Sequence, residues 1–135
     1  MNFPKILFTV LAVFSLAFLG SCHKHDSATD VTIEFESPAE GLILISGDTL
    51  DIHIHYTADA MIHNVEVKVL NETNNNEVVF SYDEHVHAEE SYTFEDKVPL
   101  TVTENSIFRI ETTVTGHDSE DDTFTEEVHF EVHKP

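Results

Sequence analysis

The sequence predicts an all-β chain, a single antiparallel β-sandwich of about seven short strands. Three observations carry that prediction. From Val31 onward almost every segment alternates apolar and polar residues with period two, the spacing of a strand with one buried face. Clusters of Pro, Gly, Asn and Asp punctuate the alternation where turns are needed. Nowhere do apolar residues recur at helical spacing over a useful length.

The segments follow in order. VTIEFES sets Val31, Ile33 and Phe35 against Thr32, Glu34 and Glu36, and SPAEG then breaks the strand at Pro38 and Gly41. LILIS and TLDIHIHYT flank a Ser46-Gly47-Asp48 turn; in the second, Leu50, Ile52, Ile54 and Tyr56 point inward while Asp51, His53, His55 and Thr57 point out. HNVEVKVL buries Val65, Val67 and Val69, and NETNNNE is a loop. VVFSY follows, then the polar run from Asp83 to Glu90, read as a connection, then SYTFEDKVPL with Tyr92 and Phe94 on one face. SIFRIETTVTG sets Phe108, Ile110, Thr112 and Val114 against Arg109, Glu111 and Thr113. HDSEDD is a hairpin loop, and TFTEEVHFEVH turns Val128, Phe130 and Val132 inward.

Residues 31–134 resemble a single immunoglobulin-like or fibronectin type III-like domain, a resemblance of pattern that covers the whole segment. The cysteine pair and core tryptophan of antibody domains are absent, since the chain has one cysteine and no tryptophan. The opening SPAEGLILISGDTLDIHIHY is similar to that of one-domain Ig-like lipoproteins of Bacteroidota.

The first thirty residues set an address. Lys5 precedes an uncharged apolar run from Ile6 to Leu19, short of the roughly 20 residues that span a bilayer as a helix, and small residues follow. This is the layout of a secretory signal peptide over 1–21. Leu19-Gly20-Ser21-Cys22 resembles a bacterial lipobox, which implies cleavage before Cys22 and a lipid on its thiol and amino group, palmitate among the acyl chains. The rival reading is an ordinary signal peptide followed by a free thiol. As the only cysteine, Cys22 makes no intramolecular disulfide. Residues 22–30 then form a lipidated tether, and the chain is expected at the outer membrane, with its periplasmic and surface faces both open.

Removing residues 1–21 takes away one lysine and no acid, so the formal charge moves from −20 to −21. Such a balance excludes nucleic acid as a partner, because the phosphates would be repelled. It favours cations, basic protein surfaces or neutral glycans. The remaining 114 residues suffice for one domain.

In an Ig-like strand order, loops 56–63, 83–90 and 116–122 gather at one pole. They bring together His55, His63, His85, His87 and His117, with Asp83 and Asp118 among the nearby acids. Imidazoles with carboxylates suit Zn²⁺ or Cu²⁺, so these seven residues are the candidate metal ligands. A blue-copper site would need a cysteine other than the anchor. The acidic GHDSEDDTF has oxygens for Ca²⁺ but lacks the spacing of an EF-hand loop. Exposed histidines and solvated acidic loops are the plainer alternative.

No G-x-S-x-G, H-E-x-x-H or nucleotide-binding glycine pattern occurs, so a non-enzymatic module is expected. Its function is read as binding, with metal capture at the pole. The alternative is a structural or adhesion-type module that contacts a protein or glycan and holds no metal.

Overall fold

The structure, a computed structural model, describes residues 30–116 and 123–135. Among these residues are eight strands: β1 (Val31–Ser37), β2 (Leu42–Ile45), β3 (Thr49–Ala58), β4 (Ile62–Asn71), β5 (Glu77–Ala88), β6 (Ser91–Pro99), β7 (Ser106–Gly116) and β8 (Thr123–His133). They form a three-stranded sheet, β1-β3-β6, and a five-stranded sheet, β2-β8-β7-β4-β5. The fold is an all-β, Ig-like sandwich. Among the described residues no helix is long and apolar enough to cross a membrane.

The eighth strand comes from the break at SPAEG. Pro38 has no N–H to continue the ladder with β3, and Gly41 turns the chain at φ 77°. The chain then crosses to the other sheet, where β2 pairs with β8 in parallel, Leu42 opposite Phe130 and Ile45 opposite His133. Every other pairing is antiparallel.

Period two decides what is buried. Leu50, Ile52, Ile54 and Tyr56 of β3 face Val65, Val67 and Val69 of β4, Phe108, Ile110 and Val114 of β7, and Val128, Phe130 and Val132 of β8 across one core. Phe108 and Phe130 stack with ring centroids 5.4 Å apart. Each fully buried aliphatic or aromatic side chain contributes about 2 kcal/mol by leaving water.

A polar seam crosses this core. The Tyr56 hydroxyl lies 2.7 Å from Thr112 Oγ1, and Thr112 donates to the Glu66 carbonyl at 2.9 Å. Tyr82 and Tyr92, one from each sheet, join hydroxyls at 2.7 Å. These bonds tie the sheets at fixed points, because a buried hydroxyl without a partner costs about 1–3 kcal/mol.

One expectation is corrected here. The run from Asp83 to Glu90 is no loop: β5 continues to Ala88, and only Glu89 and Glu90 connect it to β6. Ladder hydrogen bonds come from the backbone, so β4 holds this polar stretch as strand whatever its side chains.

Candidate functional site

The strands β3, β5 and β7 end at one pole, where β4, β6 and β8 begin. At that pole the β4–β5 ladder loses its regular register. Ile62 pairs with Ala88 and Asn64 with His85, so the single residue His63 stands against Val86 and His87. On its other flank β4 is bulged as well: Ile62 pairs with Gly116 and Asn64 with the adjacent Thr115, leaving His63 as the extra residue. His87 itself adopts φ 47°, the left-handed region, which histidine enters more readily than most residues. Bulges re-aim side chains. Here they bring three rings together, with centroids 4.9 Å apart for His63 and His85, 4.8 Å for His63 and His87, and 6.2 Å for His85 and His87.

That spacing has a chemical meaning. An ion about 2.0–2.1 Å from three imidazole nitrogens in tetrahedral geometry holds the ring centroids about 5 Å apart. The two pairs that include His63 come near this spacing, at 4.9 and 4.8 Å, whereas His85 and His87 stand wider at 6.2 Å. Among the described residues, however, no group of three His, Cys, Asp or Glu side chains is arranged so that it could hold a metal ion.

The remaining candidates are dispersed. Asp83 lies two residues before His85, and its Oδ1 accepts a hydrogen bond from Asn64 Nδ2 at 2.9 Å. His55 belongs to the other sheet, on β3, with Nδ1 3.0 Å from Thr93 Oγ1, and so does not join the trio. Its neighbour His53 has Nδ1 3.0 Å from Glu36 and Nε2 3.3 Å from Glu95. His117, Asp118 and Cys22 lie outside the described residues, as do the signal segment 1–21 and most of the tether.

Away from the pole, Arg109 is the one arginine of the chain. Its guanidinium meets Glu72 at 3.2 Å, Glu111 at 3.4 Å and Glu127 at 3.6 Å on the outer face of the larger sheet. His129 continues this lattice to Glu72 at 3.6 Å and Glu40 at 3.8 Å. These contacts neutralise part of an acidic face.

Sequence reasoning placed His63 where the connection meets the start of the HNVEVKVL strand, and missed its bulge. The signal was present: Ile62 and Val65 are both buried yet three residues apart, an odd interval that a regular strand cannot turn to one face.

No protein-family model matches the sequence, and no curated protein matches it. Solved structures do match in fold. A CARDB domain from Pyrococcus furiosus, determined by NMR, is 15% identical with a TM-score of 0.52, over 78% of this chain and 95% of that one. The same domain crystallised in complex with di-metal ions is 14% identical with a TM-score of 0.47, over 78% and 94%. Fibronectin(III)-like modules of Clostridium thermocellum CbhA are 18% identical with a TM-score of 0.47, over 78% of this chain and 48% of that one. At these identities the likeness is one of fold.

Proposed function

We propose that this chain is an exported, non-enzymatic Ig-like binding module, lipid-anchored at Cys22, that captures a transition metal ion at its pole. The ligands are His63, His85 and His87, and the ion is Zn²⁺ or Cu²⁺, both of which take imidazole nitrogen readily. One observation supports the reading: backbone irregularities in two adjacent strands gather three imidazoles at one pole, with the His63 ring 4.9 and 4.8 Å from those of His85 and His87. Irregular backbone of this kind persists where the surroundings over-determine it and concentrates at functional positions. The acidic charge of the domain raises the local concentration of cations.

Calorimetric titration tests this on the chain from residue 22 carrying Cys22→Ser, His23→Ala and His25→Ala, so that the tether contributes no heat. Micromolar 1:1 binding of Zn²⁺ or Cu²⁺, lost in a His85→Ala/His87→Ala variant, is the expected result. Weak multi-site heats that survive the substitutions would reject the site. The second reading, a structural or adhesion-type module that contacts a protein or glycan without metal, would then stand. It has one observation in its favour: Ile43, Ile45 and Ile107 are exposed on the larger sheet.

A further inference from the structure

We propose that the outer edge of β2 is a docking edge, where an extended segment of a partner protein adds to the larger sheet as a further strand. That segment is apolar at its centre and bracketed by lysine or arginine. The proposal stands apart from the metal reading, because β2 and the histidine-bearing β5 are opposite edges of the sheet. An edge offers N–H and C=O groups to any extended chain, so edges are ordinarily guarded by charge, proline or a bulge. Among the described residues the two sheets have four edges, β1 and β6 in one, β2 and β5 in the other. Three of them are guarded. β1 carries the exposed Glu34 and Glu36, with a register shift at Glu36. β6 carries Asp96, Lys97 and Pro99. β5 carries Glu77, Asp83 and Glu84 and is bulged against β4 in two places.

β2 has none of these devices. Its four residues are Leu42, Ile43, Leu44 and Ile45, in unbroken register with β8. Ile43 and Ile45 point outward, 57% and 47% exposed, while Leu42 and Leu44 point inward and are only partly buried. An added strand therefore meets aliphatic neighbours on both of its faces. The edge is also held in place at each end. Gly41 donates to the His129 carbonyl at 2.8 Å and Ser46 to that of His133 at 2.7 Å, and Asp48 Oδ2 accepts the Ile45 N–H at 2.9 Å. A preformed strand spares a partner the cost of ordering it, and extended peptides are commonly bound in this way.

Charge then selects the partner. Glu40 lies shortly before β2 and Asp48 shortly after it, and Glu131 stands opposite Ile43 on β8. In a chain of formal charge −20 these acids favour lysine or arginine at both ends of the added segment. They also disfavour a second copy of the chain. Antiparallel pairing of β2 with β2 would carry Glu40 of one copy toward Asp48 of the other at both ends, acid against acid.

The test titrates the chain from residue 22 carrying Cys22→Ser with the capped synthetic peptide Lys-Lys-Val-Ile-Val-Ile-Lys-Lys, followed by amide NMR. Saturable shifts centred on Leu42 to Ile45 are the expected result. Ile43→Lys, which installs the missing guard, should weaken binding about tenfold or more, whereas Ile107→Lys, equal in charge but two strands inward, should stay within about twofold. Two further peptides carry N-methyl groups on alternate apolar residues, one set in each. One should fail to bind and the other bind normally, because only alternate amides face the protein in a ladder. Equal binding by both methylated peptides, or equal loss with both lysine variants, would reduce the effect to charge and overturn the edge. Shifts centred on β5, or no binding, would overturn it as well. A dimer in sedimentation that Ile43→Lys dissolves would give the edge to a second copy and overturn the assigned partner.

Discussion

The chain contains the H-x-H pattern twice on strands, and the two copies behave differently. His53 and His55 sit on β3, in unbroken register with β6 on one side; on the other, β1 shifts register between Phe35 and Ser37, opposite Ile54 and His53. Successive outward rings on such a strand stand about 7 Å apart. Each finds its own partner: His53 between Glu36 and Glu95, His55 on Thr93. His85 and His87 sit where β5 meets the bulge of β4, and both rings close on His63. Residue type and spacing are the same. The difference lies in which strand carries the extra residue: on β5 it falls within the histidine stretch itself, whereas beside β3 it falls in β1, where the extra residue Glu36 meets His53.

The sharpest way to break this contrast is through the residue between the histidines. Ile54 is fully buried and Val86 is only half-buried. Ile54→Ala is expected to cost about 3 kcal/mol and Val86→Ala about 1 kcal/mol in urea unfolding. Equal costs would mean that both pairs rest on the same core.

Metal affinity gives the next largest separation. His63→Ala should weaken Zn²⁺ binding by about 10- to 100-fold, on the order of 1.4–2.7 kcal/mol, whereas His53→Ala and His55→Ala should leave it within about twofold. A loss with either β3 variant would mean that the β3 pair contributes.

Tyrosines back both pairs, and they give two smaller effects. Tyr56 follows His55 directly, and Tyr56→Phe, which deletes the bond to Thr112, should cost about 1 kcal/mol by thermal unfolding. Burial pushes the Tyr56 hydroxyl above its ordinary value of 10.0, with the Thr112 bond working against it. Burial pushes Tyr82 up too, reinforced by its bond to Tyr92. Raised folded values mean that the folded state binds more protons in alkali, so this contribution is complete below pH 10 and fades as pH climbs further. Absorbance titration should therefore show Tyr56 and Tyr82 ionising only as the chain unfolds.

The smallest effect concerns His87 itself. Its φ of 47° suits glycine better, so His87→Gly should leave the melting temperature unchanged or slightly raised while weakening capture as His63→Ala does. A clear destabilisation would show that the ring holds the fold.

The fold was legible because β3, β4, β7 and β8 each bury one face, and burial writes period two into the residues. The end of β5 was not. From Asp83 to Ala88 only Val86 and Ala88 touch the core, so no alternation announces a strand whose hydrogen bonds come from β4. The convergence of His63, His85 and His87 at one pole follows from strand order. His55 shared that prediction and fell to the other sheet, because loop order places residues at a pole without saying which face receives them.

Asp30 donates its backbone N–H to Asp59 Oδ1 at 2.7 Å, and the Asp59 N–H returns to the Asp30 carbonyl at 3.3 Å. The polypeptide therefore enters the domain beside the β3–β4 connection, at the end that carries the imidazoles. On the proposed anchorage at Cys22, eight peptide steps separate the lipid from this knot, about 27 Å when fully drawn out. So anchored, the domain would be moored by its histidine end, with β8 leading away from it. A leash of that length would let the trio approach the bilayer, where head-group charge sets ion concentrations within a Debye length of about 8 Å. The site would draw on the membrane's own cations ahead of those in the open compartment.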